Sequence, residues 1–518
     1  MAVKLLKAVI LIPFCFLHCA SPVKQAANSE SDYRLGKIDF KASGSQEARP
    51  HFDKGLLLLH SFEYYDAAEA FRMARQVDPG FVMAYWGEAM THNHPLWRFQ
   101  DYDKANAVLN ELEATAEGRV AKAITELEKD FIRAANVLFG KGTKAERDAA
   151  YASFMESLYK KYNKEPEVSS FYSLALIGSV QEGRDVVVFC KAANIAKEVL
   201  EKNPKHPGAL HYLIHAYDDP DHALKALNTA DAYAVTAPDA GHALHMPTHI
   251  YLALGMWDKV ISSNIDSWGA EVKRKERKQL NNDALGYHSF HWLQYGYLQK
   301  GDFETAQKLL KEMRQYAKEL PSGRARAHLI YMKSTYLAET QDWQSTITAI
   351  NPKMTDLNIT TRAMNHFVNG WYAWYKKDDK ALSEIIQQLA GERLIELERV
   401  NSSGAAVCGS VNSSMPTLLD VQYAEVMEME LKALQAWMQN DLEGTESWFT
   451  KATTLENNIS YAYGPPNVVK PSNELYAEWL VQQKRYREAV QQYQLALKAA
   501  PNRTISIKGK KEAERQSS

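Results

Sequence analysis

Apolar residues recur along this chain at the three-and-four spacing of an amphipathic helix, and nowhere does strand-like alternation persist. Helical segments run from Pro50 to about residue 500, punctuated by Gly, Pro, Asn and Asp. Within GLLLLHSFEYYDAAEAFRMARQVDP, residues Ala67, Phe71, Ala74 and Pro79 follow one another at intervals of four, three and five. The same intervals return at Ala192, Ala196, Val199 and Pro204, at Ala226, Ala230, Tyr233 and Pro238, and at Ala489, Tyr493, Ala496 and Pro501. The second and third sets are offset by 34 residues. Weaker copies end near Trp268, Met313, Ile350, Leu389 and Leu455. Small residues at these places let antiparallel helices approach. The larger side chain fills the gap to the next hairpin, and proline stops the helix because it has no amide proton.

This pattern resembles the tetratricopeptide repeat (TPR), over most of residues 48–501. The resemblance implies an all-α fold, a TPR-type α-solenoid in which helical hairpins stack into a right-handed superhelix with a concave groove. It also implies that the first helix of each repeat lines the groove, with its second, fifth and ninth positions facing inward. A protein or peptide partner in that groove is the expectation that follows from the fold.

The histidines follow the same period. In HALHMPTHIYLALG, His242, His245 and His249 lie within eight residues. His211 and His215 take the fifth and ninth positions of one repeat. His245 and His249 take them in the next, 34 residues on, and His242 takes the second position. In GYHSFHWLQYGYL, aligned on Gly301-Asp302-Phe303 as the inter-helix turn, His288 and His291 fall at the second and fifth positions. Side chains four apart share a helix face, and neighbouring helices lie roughly 8–10 Å apart, so these imidazoles can converge. His211, His215, His245, His249 and His291 are thus candidate ligands of a transition metal, with Zn, Cu and Fe all suited to imidazole. His242 and His288 stand as additional ligands. Structural histidines, or histidines inherited by duplication of one repeat, are the competing explanations. Pro247, between His245 and His249, predicts either a helix start near Met246 or a kink. The spacing H-x2-H-x-P-x-H in a repeat array is similar to that of exported bacterial TPR proteins, a resemblance that implies a fold and no reaction.

Two further groups carry candidate chemistry. AYWGEAMTHNHPLWRF sets Glu88 and His92 four apart, as ligands, as an acid–base pair, or as a helix end packed by Trp86 and Trp97. Only a tightly curled superhelix would bring them near residue 245. AYDDPDHA places Asp218, Asp219 and Asp221 directly after His215, where Asp218 could orient imidazoles from behind or simply make a turn. No HExxH, GxSxG, phosphate-binding glycine loop or CxxC is present. The function read from these residues is a groove that binds a metal ion or small ligand. The alternatives are a pure interaction scaffold and a metal-dependent hydrolase or oxidase.

Composition narrows the setting. A net charge of −2 gives no broad nucleic-acid footprint. Lys4 and Lys7, an apolar run from Ala8 to Leu17, and the small residues after it have the layout of a secretory signal over residues 1–19. FLHCAS resembles a loose lipobox with Cys19 as the lipidated residue, although His18 departs from the expected small residue. The expectation is an exported protein, periplasmic or held to a membrane by a lipid anchor alone. Residues 20–47 then read as a flexible tether, 205–295 as the histidine-rich centre, 401–416 as a Ser/Gly insertion and 502–518 as a disordered tail. Cys190 and Cys408 read as free thiols, with pairing left open.

Overall fold

The periodic small residues do what their spacing predicts. In a computed structural model that describes residues 33–162, 165–402 and 416–517, Ala67, Phe71, Ala74, Ala192, Ala196, Ala226, Ala230, Tyr233 and Ala489 are wholly buried. Phe71 shows why they are small: a Cβ added at Gly55 or Gly87 would stand 2.8 or 2.3 Å from its ring. The helices Tyr64–Val77, Val186–Lys202, Leu227–Thr236 and Tyr486–Ala499 end just before Pro79, Pro204, Pro238 and Pro501. Consecutive helices pack on one another from Arg49–His60 to Thr504–Ser517, so the chain is a TPR-type α-solenoid of helical hairpins. The β-structure among the described residues is a two-residue antiparallel ladder, Asn93 opposite Gln100 and His94 opposite Phe99.

Two apolar cores run through the array. They meet on the helix Tyr287–Lys300, which gives Trp292 and Tyr295 to the first and Tyr287, Phe290 and Leu293 to the second. The superhelix is tightly curled. Arg274, on the helix Trp257–Arg277, donates to both carboxylate oxygens of Asp66 at 3.0 and 2.6 Å, across more than 200 residues. Trp257 Nε1 donates to the Asn502 carbonyl at 3.0 Å. The irregular stretch 460–471 reaches the central helices, where Arg184 N donates to Ser460 Oγ at 2.9 Å.

Two boundaries differ from the sequence reading. Residues 34–47 are docked, with Leu35 and Phe40 buried and Lys37 N donating to the Lys205 carbonyl at 2.8 Å. The expected disordered tail is instead the helix Thr504–Ser517. It is anchored by wholly buried Arg503, which donates to Glu474 at 2.8 and 2.9 Å and to Tyr295 Oη at 3.0 Å. Its polar composition gave no sign of that ion pair. At Pro247 the helix Gly241–His245 stops and Pro247–Ala253 begins, the first of the two expected outcomes. The signal segment with Cys19, most of the insertion 401–416 and Cys408 lie outside the described residues. Among the described residues Cys190 has no disulfide partner. No helix among the described residues is long and apolar enough to cross a membrane.

Candidate metal centre

The helix Pro207–Ala216 is buried along its whole length, so His211 and His215 have no face turned to water. One turn apart, their ring centroids are 5.0 Å from each other. His242, on the next hairpin, lies 5.1 Å from His211. One ring nitrogen from each of His211, His215 and His242 falls within 4.8 Å of the other two. A second trio repeats the arrangement with His245, His249 and His288, at the same limit of 4.8 Å. The break at Pro247 does not separate the pair, since the His245 and His249 rings are 5.3 Å apart. The trios adjoin: His215 and His249 are 5.1 Å apart, His242 and His245 6.1 Å.

Hydrogen bonding sorts the two nitrogens of each ring. His211 Nδ1 donates to the His60 carbonyl at 2.7 Å, and His245 Nδ1 donates to Asn264 Oδ1 at 2.7 Å. His215 Nδ1 and His249 Nδ1 both donate to Asp218 Oδ2, at 3.3 and 3.1 Å. With the proton on Nδ1, the lone pair is on Nε2. The Nε2 atoms of His211, His215, His242 and His245 are buried without a hydrogen-bond partner among the described residues. Burial lowers the basicity of every shifted ring here: to about 3 for His245, to about 4 for His249, and far below the ordinary value for His211, His242 and His288. They are neutral at pH 7, the form that binds metals.

Asp218 is held from its other side. Its Oδ1 pairs with the Arg184 guanidinium, which also reaches Asp219 at 3.0 Å. Burial alone would push the Asp218 carboxyl up. Arg184 and the bonds from His215 and His249 outweigh it and keep the group below the usual carboxylate range. Aromatic rings flank the histidines. Phe62 lies 4.3 Å from His211 and 5.7 Å from His242. Trp292 lies 4.9 Å from His245 and 5.0 Å from His288. Tyr463, from the irregular stretch, sits 4.8 Å from His249. Gly464 is required beside it: its φ is +99°, and a Cβ there would meet the Trp292 ring at 2.5 Å.

A third histidine group behaves differently. Buried His60 and His206 flank Glu167, their Nε2 atoms 2.7 and 3.0 Å from its carboxylate oxygens. His60 Nδ1 lies 2.9 Å from Tyr212 Oη, and His206 Nδ1 accepts from Ala209 N at 3.2 Å. Each ring nitrogen is already in use, so this group is a helix-joining network with no lone pair to offer.

Of the residues singled out in the sequence, His211, His215, His242, His245, His249 and His288 are brought together, with Asp218 behind them. His291 stands apart: its Nε2 is 3.0 Å from Thr335 Oγ1, and its ring stacks on Tyr331 at 5.8 Å. Glu88 is ion-paired to Arg72 and Arg75, and half-buried His92 belongs to neither trio. The curl does bring the first hairpins close, but through Phe62 and Trp97, the latter 5.9 Å from His242. Arg184, Asn264, Phe62 and Tyr463 escaped the sequence reading. Only Gly464-Pro465-Pro466, a turn signal after Tyr463, marked any of them.

No family model matches the chain, and no curated protein matches it. Among solved structures it is similar to yeast Tom70, at 11% identity over 91% of this chain and 89% of that one, with a TM-score of 0.33. Against the Cut9–Hcn1 hetero-tetramer of the APC/C the values are 11%, 92%, 78% and 0.38. Against a human IFIT1 dimer with PPP-AAAA they are 13%, 92%, 96% and 0.36. At such values the likenesses say nothing about what the histidines bind.

Proposed function

We propose that this protein binds transition metal in the hollow formed by its central histidines. One observation carries the reading. Four buried Nε2 atoms have no partner, while Nδ1 of three of the same rings is hydrogen-bonded. A buried polar atom left unpaired costs roughly 1–3 kcal/mol, and several in one place call for a ligand. Three imidazole nitrogens within 4.8 Å of one another suit an ion with metal–nitrogen bonds of about 2.0–2.1 Å. Asp218 and Asn264 act on the far side of the rings, fixing the tautomer that presents Nε2. Two features favour a metal over a peptide in the groove: the chain's own Tyr463 and Gly464 already sit against the histidines and Trp292. A protein partner, which the repeat architecture suits, would then dock elsewhere on the array. The N-terminal layout of charge, apolar run and small residues supports export, with Cys19 as a lipid attachment point.

Elemental analysis of untagged full-length protein, before and after metal depletion and reconstitution, tests the reading. Metal bound in stoichiometric amount, and lost in a His211→Ala/His249→Ala double variant, is the expected result. Protein that stays metal-free after reconstitution would overturn it. A double variant that keeps its full metal content would move the site elsewhere.

A further inference from the structure

The six imidazoles fall into two trios of the same make-up, joined by a further group in which His215 and His249 meet at Asp218. Each trio takes a pair one turn apart from one repeat and a single ring from the next: His211 and His215 with His242, then His245 and His249 with His288. Each has its own aromatic wall, Phe62 for the first and Trp292 for the second. The halves are tied together twice. Asp218 Oδ2 accepts from His215 of one and His249 of the other, and His242 and His245 sit on one short helix. Three donors leave an ion with an open position.

Charge selects the ion. All six donors are imidazole nitrogens, which bind metal in their neutral form. The one carboxylate bonded to these rings, Asp218, is already committed to Arg184. Nothing in this set offsets two buried divalent cations, whose desolvation is expensive, so the oxidised pair needs an anionic ligand shared between the ions. Cuprous ions halve that charge, accept three-coordinate imidazole sites, and belong to the metal that binds nitrogen donors most tightly among the first-row divalent ions when oxidised.

Resting on the metal-binding reading above, we infer that the hollow holds a pair of copper ions, one per histidine trio, close enough to share a single small bound ligand. Such a pair can exchange two electrons with one molecule.

The experiment is an anaerobic titration of metal-depleted full-length protein with Cu(I) against a competing chelator, followed by oxidation and electron paramagnetic resonance. The expected end point is two copper ions per chain, with the oxidised pair largely silent through coupling. His211→Ala/His242→Ala and His245→Ala/His288→Ala should each retain one ion, now with a signal near one Cu(II) per chain. Wild-type saturation at one ion would overturn the pair and leave the metal-binding reading standing. Two ions with two independent signals would also overturn it. No uptake of copper or of any other metal would remove both. Wild-type stoichiometry and spectrum decide the matter even if a variant fails to fold.

Discussion

Two histidine groups sit side by side in this protein, one wholly buried and the other buried except for His242 and His288, which are half-buried. Around Glu167, each nitrogen of His60 and His206 has a protein partner. In the central trios, Nδ1 is tied down on His211, His215, His245 and His249, and Nε2 of three of these rings, with that of His242, is buried and unpartnered. Proximity of ligand-type atoms therefore does not separate a structural group from a site, since both groups meet the same distance limit of 4.8 Å. Hydrogen-bond bookkeeping does. A ring whose lone pair is already used holds helices together; a ring whose lone pair is aimed at nothing is what the proposed ion needs.

The comparison breaks most sharply at His60. His60→Ala would leave Glu167 with half its compensation in a wholly buried position, which should cost roughly 3–5 kcal/mol. Denaturant unfolding should show that loss, while the folded fraction takes up metal normally. Unchanged stability would mean that Glu167 does not need His60. Asp218→Asn acts on the other group. It weakens the carboxylate behind His215 and His249, and metal affinity should fall by about 10–100-fold in a chelator competition. An unaltered affinity would show that the rings are oriented by something else.

Buried carboxylates extend the contrast, because Glu456 lacks the compensation that Asp218 enjoys. Burial pushes its carboxyl from 4.5 up to about 7. A folded value above the unfolded one means that the cost of burial is full above pH 7 and gone below pH 4.5. Glu456→Gln should therefore stabilise the metal-free protein by roughly 1–2 kcal/mol at pH 8 and by little at pH 5. Equal effects at both pH values would contradict the assignment. The smallest effect expected is at Gly464. Gly464→Ala should cost about 1 kcal/mol through its positive φ and shift the fluorescence of Trp292, whose ring it would press. A variant with wild-type stability and emission would show that the stretch 460–471 yields freely.

The fold was legible because it rests on local spacing. The Ala-aromatic-Ala-Pro rhythm names the residues that end up buried, Ala67, Phe71, Ala230 and Tyr233 among them. The paired histidines were legible for the same reason, since a period of 34 residues carries one inward face onto the next. The membership of each trio was less so. His288 joins the second trio and His291 does not, although the repeat alignment turned both inward. What decides is the offset between neighbouring helices: a ring at the second position of one repeat meets the fifth and ninth positions of the repeat before it. His242 obeys the same rule. Position five of the third repeat faces forward instead, to Thr335. Arg184, Phe62 and Tyr463 could not be read at all, because they arrive from distant parts of the chain through the curl of the superhelix. His60 and His206 were overlooked as isolated histidines, and the helical tail as a polar end.

The most direct test of the central claim is the location of bound metal in crystals of reconstituted protein, by anomalous scattering at the metal's absorption edge. Density is expected among the Nε2 atoms of the two trios, at about 2.0–2.1 Å from them, and none between His60 and His206. Density beside Glu167, or none in the hollow, would contradict it.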